Sequence, residues 1–250
     1  MVPIDTADGT PRNVLADALA ADDASVRLRA ALAAGTRRDP GLLERLVERC
    51  AREPDPFVRD MLSWALTRLP SEITLPRLRR ELDSELPRAR SQALHSLSKI
   101  GDGRAWAWLT RDLLRDPDDE VARTAWRVAV GLVPDGAEQG LVEELVAQLG
   151  RGDRDVQLSL SRAFVELGEV IEPALEGCAA DADPAVAAHA RATALLLRDP
   201  GIAFDTAVEE ARRVAALGPE RAAVIASGVT GTSEPVPTTE AVQSTGAASC

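Results

Sequence analysis

One pattern recurs six times along these 250 residues, opening at Val26, Val58, Ala89, Val121, Val156 and Val186. The intervals are 32, 31, 32, 35 and 30 residues. A period of this size is that of a single supersecondary unit, too short to bury its own apolar face, so neighbouring units must stack. Three residues before each opening position stand Asp23, Asp55, Asp118, Asp153 and Asp183; only the third unit departs, with Leu86. Pro56, Pro87 and Pro184 follow directly. Aspartate then proline starts a helix: the carboxylate accepts a free backbone N–H, and proline at the first position sacrifices no hydrogen bond.

Within each unit the apolar spacing is helical. Four residues after the opening position come Ala30, Leu62, Ala93, Ala125, Leu160 and Ala190, and eight after it Ala34, Leu66, Leu97, Ala129, Phe164 and Ala194. At 100° per residue, offsets 0, 4, 8 and 11 share the face that must pack. A second amphipathic segment lies between these helices, over Leu42–Cys50, Leu75–Leu82, Ala105–Leu114, Leu141–Leu149 and Ile171–Ala179. Gly, Pro and Asp in KIGDG, VPDG and LGRGD mark the breaks. No stretch alternates apolar and polar residues with β-branched enrichment, so no sheet is expected.

The expected fold is all-α: a right-handed α-solenoid of about six helical hairpins, with about thirteen helices from Pro11 to Leu217. Asp205–Leu217 reads as a polar-faced helix capping the open end of the stack. Residues 1–10 read as a flexible N-terminus and 11–228 as the solenoid. Residues 229–250, rich in Ser, Thr, Pro and Gly, are too poor in large apolar residues to offset the cost of ordering and read as a disordered tail.

DPFVRDMLSWAL (Asp55–Leu66) and DADPAVAAHARATAL (Asp181–Leu195) carry a family likeness. They resemble the short HEAT-like repeats first associated with phycobilisome lyases, whose pattern is aspartate, proline, any residue, valine, arginine, then spaced alanines and leucine. The resemblance covers roughly Pro11 to Asp199 and implies an armadillo-type helical fold more strongly than any one task. In such repeats the arginine after the valine pairs with the aspartate in a ladder along the stack. Arg27, Arg59 and Arg90 keep it, whereas Ala122, Gln157 and Ala187 do not. The resemblance therefore implies a stiffer, ladder-bearing N-terminal half and a C-terminal half held mainly by apolar packing.

Composition narrows the function classes. A net charge of -11 argues against coating of nucleic acid or adhesion to anionic membranes. No run of about 18 apolar residues could span a bilayer. The acidic start MVPIDTADG lacks the basic and apolar regions of a secretory signal. Cys50, Cys178 and Cys250 are too scattered for a disulfide framework or a metal cluster. The chain reads as cytoplasmic, and one lysine beside abundant arginine and alanine suggests a GC-rich, bacterial coding sequence.

Catalytic constellations are thin. His95 and His189 are the only histidines, and neither begins a His-Glu pair. That separates the chain from deoxyhypusine hydroxylase, a HEAT-like enzyme whose iron site depends on several such motifs. No phosphate loop or nucleophile motif is present, and no cofactor is expected. HEAT-like alkylpurine DNA glycosylases are the sharper alternative, because they use concave tryptophans, arginine and a carboxylate, and Trp64, Trp106, Trp108 and Trp126 invite the comparison. Tryptophans on amphipathic helices more commonly fill core space. Handling of a modified protein, in the manner of a lyase or chaperone, is a third reading suggested by the repeat family alone.

The charge is also uneven. Residues 24–115 hold 18 Arg and Lys against 12 Asp and Glu, and residues 116–250 hold 10 against 23. A bipolar surface favours oriented protein contacts. The leading expectation is a non-catalytic scaffold or adaptor that binds a protein or acidic peptide on its concave face. Offset 6 falls at about 240°, opposite the packing face. It gives Leu32, Trp64, His95, Arg127, Arg162 and Ala192. Trp64, His95, Arg127 and Arg162, bordered by Arg123 and Trp126, are the candidate row, with arginines and an aromatic anchor suited to an acidic extended peptide.

Overall fold

A computed structural model describes residues 11–217; the expected flexible N-terminus and disordered tail lie outside these residues. The described chain is all helix and turn, with thirteen α-helices and no strand. They form six hairpins: α1 (Pro11–Leu19) with α2 (Ala24–Arg37), α3 (Leu43–Arg52) with α4 (Pro56–Thr67), and α5 (Ser71–Glu81) with α6 (Pro87–Ile100). Then come α7 (Arg111–Leu114) with α8 (Asp119–Leu132), α9 (Glu138–Val146) with α10 (Arg154–Leu167), and α11 (Glu172–Cys178) with α12 (Pro184–Arg198). A last helix, α13 (Phe204–Leu217), follows. The second helices pack side by side in chain order from α2 to α12, and the first helices cover one side of that row.

The helix starts obey their caps. Asp23, Asp55, Asp118, Asp153 and Asp183 each accept the N–H two residues on, and three of them also accept the next one. Leu86 holds the same extended backbone with no side-chain bond to offer. Expected and observed helices diverge at Ala105–Leu114. There a 3-10 turn, Gly103–Trp108, is followed by the four-residue α7. Thr110 causes the break, because its hydroxyl turns to accept the Leu113 N–H and begins a new helix.

Most packing positions are buried, with Leu62, Leu66, Leu97, Ala125, Ala129, Leu160 and Phe164 sealed from solvent. Val26, Val186 and Ala194 are partly exposed, as are Ile100, Leu132, Leu167 and Leu197 at offset 11. Offset 5 is buried as well, at Ala31, Ser63, Leu94, Trp126 and Ser161. An inner helix is flanked by two neighbours besides its own partner, so most of its circumference is interior. Small hydroxyls meet across those flanks, Ser63 with Ser96 and Ser91 with Thr124, each at 3.3 Å.

The expected ladder takes another form. Arg27 makes a two-pronged pair with Glu53 (2.8 and 2.7 Å), and Arg90 does the same with Asp116 (2.8 and 2.9 Å). The partner is the acid two residues before the next capping aspartate, not the cap itself, whose oxygen is already taken by helix N–H groups. In the third unit that position is Ser84. Arg59 accordingly donates only to the carbonyls of Glu53 and Pro54. Burial would raise the Glu53 carboxyl, but bonds from Arg27, Arg49 and the Asp55 N–H outweigh it and hold it at about 2.

The C-terminal half is not purely apolar either. His189 is buried between α10 and α12. Its Nδ1 accepts the Gly150 N–H at 3.0 Å, which places the ring proton on Nε2, 3.0 Å from both the Gln157 carbonyl and the Ser161 hydroxyl. Ser161 and Thr193 hydroxyls lie 2.8 Å apart, and Thr193 returns a bond to the His189 carbonyl. Burial pushes the ring down to about 4, so it is neutral.

The last helix, α13, follows α12 and packs on it as a terminal helix, over Ala192 and Leu196 at offsets 6 and 10. It therefore lies across the open face.

Candidate functional site

The open face is the side of the inner helices turned away from the first-helix layer, and offset 6 runs along it. Arg127 on α8 and Arg162 on α10 are exposed there. Arg127 makes one long contact, 3.5 Å to the Thr124 hydroxyl. Neither arginine has a carboxylate partner among the described residues. Arg77, Arg90, Arg111, Arg151 and Arg154 are paired with acids, whereas Arg59 donates to backbone carbonyls and Arg68 lies beside the Trp64 ring.

The other members of the row are changed by their surroundings. His95 on α6 is half-buried, 3.6 Å from the Asp60 carboxylate. Burial, then the charges of Lys99 and Arg127, lower its pKa below the usual value against the pull of Asp60. It is a neutral hydrogen-bonding group at pH 7, not a cation. Lys99 takes Asp60 as its own partner at 3.0 Å. That acid on the neighbouring helix is invisible to a reading of one offset.

Trp64 on α4 is half-buried because its ring lies against Gly35 of α2. A Cβ at Gly35 would stand 2.3 Å from the ring. The Arg68 guanidinium sits 5.9 Å from the ring centre. Arg123 is committed to the fold, its Nε donating 2.9 Å to the Ser159 hydroxyl of the next inner helix. Trp126 does not border the face at all. It is fully buried, donating from Nε1 to the Leu114 carbonyl at 2.8 Å, with Arg151 over its ring. Offset 5 turns it toward the next repeat, and α7 supplies the carbonyl. A core role for this tryptophan removes it from any concave aromatic set.

The row also ends differently at each side. Leu32 on α2 is exposed, whereas Ala192 on α12 is sealed beneath α13. Next to α13 the face of α10 forms an open hollow of about 480 Å³, lined by Leu158, Arg162, Val165, Ile202 and Phe204. Offset-by-offset comparison carries the missed signal. Offsets 6 and 10 are His95 and Lys99 in α6, but Ala192 and Leu196 in α12. An outward face that turns apolar in one repeat announces a covering element.

Residues 58–131 match the family of HEAT repeats. The crystal structure of an engineered protein from the Northeast Structural Genomics Consortium aligns at 21% identity and a TM-score of 0.43, over 81% of this chain and 98% of its own. No curated protein matches the sequence. No helix among the described residues is long and apolar enough to cross a membrane. The matched segment runs from the start of α4 through α8, and the hairpins on both sides of it continue the same all-α solenoid.

Proposed function

We propose that this solenoid is a non-catalytic scaffold that holds an acidic, extended segment of a partner protein along its open face, and that it works in the cytoplasm. The observation that supports this is the pair Arg127 and Arg162, exposed on consecutive inner helices and left without acids. Helices pack about 8–10 Å apart, and an extended chain advances about 3.3 Å per residue. Carboxylates two to four residues apart therefore match the two guanidiniums. His95 adds a neutral donor or acceptor, and half-buried Trp64 offers an apolar edge further along.

Arginine suits the task because its planar fork grips a carboxylate with two hydrogen bonds. The test is anisotropy with a fluorescein-labelled glutamate-rich decapeptide carrying one leucine. Binding should weaken as salt screens the charges. Arg127→Glu with Arg162→Glu should weaken it at least tenfold with an unchanged melting temperature. Equal binding by the double reversal, or salt-independent binding, would overturn the reading.

A further inference from the structure

We infer that the open face of α10 and α12 is a second binding site, one for a short amphipathic helix, and that α13 is its resident ligand. The site adjoins the charged row at Arg162 and does not depend on the acidic-segment reading. Three observations carry it.

The first is the change of character at α12. Ala192 and Leu196 occupy outward offsets, and both are buried. The second is the way α13 sits. Among its described side chains Phe204, Ala207 and Ala211 are buried, spaced three and four apart so that they share one stripe. With Ala192 and Leu196 they form a small apolar cluster separate from the continuous core of the stack. The third is a polar clamp reaching from another helix. Arg154, at the start of α10, grips both carboxylate oxygens of Asp205 in the first turn of α13, the second at 2.8 Å. Its guanidinium also lies 6.0 Å from the Phe204 ring. The clamp is exposed on both sides, so it orients the helix more than it holds it.

α13 thus makes the contacts of a docked peptide: an aromatic foot, a carboxylate beside it, a stripe of small residues, and an apolar groove with an arginine at one end. Among its described side chains three are buried, Phe204 and two alanines. The hollow beside it, between Leu158, Val165 and Ile202, leaves room for a bulkier side chain than α13 supplies. A partner helix with an aromatic residue, an acid next to it and larger apolar groups on the same stripe would compete for the face.

The test uses the full chain and a fluorescein-labelled peptide of residues 203–217, AFDTAVEEARRVAAL. In the wild type the tethered helix competes at an effective concentration in the roughly millimolar range, so the peptide should bind weakly. Ala207→Glu with Ala211→Glu evicts α13, and this variant should bind the peptide at least tenfold more tightly. A peptide carrying Asp205→Arg should lose binding and regain it on the evicted chain carrying Arg154→Asp. Peptide binding no tighter than wild type would overturn the inference. So would loss of amide protection throughout α10 and α12 in the evicted chain, because α13 would then be integral to the core. Arg127→Glu in the evicted chain should leave peptide binding unchanged. If it abolishes binding, the peptide lies on the charged row, and this inference falls while the acidic-segment reading stands.

Discussion

The two halves of the solenoid join neighbouring repeats with different chemistry. Near the N-terminus a buried guanidinium crosses from the inner helix to an acid in the next loop, as in Arg27–Glu53. Near the C-terminus the same junction is made by neutral groups around His189, with Gly150, Gln157, Ser161 and Thr193 closing the circuit. Stacking needs the loop to be tied to the helix behind it, but it does not require charge. What charge changes is the response to damage and to pH.

The largest effect should follow from breaking the ionic junction. Arg27 and Glu53 are both buried. Glu53→Ala strands the arginine without its acid, and loss of one partner of a buried pair costs about 3–5 kcal/mol. Urea unfolding should show that loss. A cost under about 1 kcal/mol, the range of an exposed pair, would mean that water or Asp55 takes over.

Acidification should separate the halves. The folded pKa of His189 is about 4 against an ordinary 6.5, so its stabilisation is complete above pH 6.5 and is lost as pH falls toward 4. Glu53 is held at about 2 against 4.5, so its contribution persists until pH drops below 4.5. By linkage the C-terminal junction should lose about 2 kcal/mol between pH 7 and pH 5 while the N-terminal one is unchanged. Hydrogen exchange measured at both pH values, corrected for intrinsic rates, should show α10 and α12 opening first. Uniform loss would contradict the contrast.

The smallest effect is a gain. Leu86 is exposed and already holds the backbone of a capping residue. Leu86→Asp should add about 0.5–1 kcal/mol, read as a higher urea midpoint at unchanged slope. No gain would show that Ser84, which accepts the Leu86 N–H at 3.3 Å, already sets this helix start.

Much of the fold is legible in the residues. Period, caps and the offsets 4 and 8 point to the hairpins, because each depends on groups close in sequence. The junction partners are not legible, since the position two before each cap holds Glu53, Ser84, Asp116, Arg151 and Asp181 in turn and only contact reveals which ones pair. A wheel drawn for a helix with one buried side misplaces Trp126, because it fails for a helix with neighbours on both flanks. The lowered pKa of His95 comes from burial first, then from Lys99 and from Arg127, the last 32 positions away in sequence and one helix away in space. Arg127 and Arg162 lie outward as their spacing predicts, since a single outward offset is all that exposure requires. The covering of Ala192 is written in the alanines of α12, but it can be seen only by comparing repeats.

The sideways seat of α13 has a mechanical consequence. A load applied at Leu217 pulls the helix away from the face, so its contacts open turn by turn from Ala211 to Ala207, and the grip of Arg154 on Asp205 yields last. The stacked hairpins carry the same load in shear across whole interfaces. Under tension the chain would therefore yield in two steps, releasing α13 at low force and extending the repeats only at a higher one.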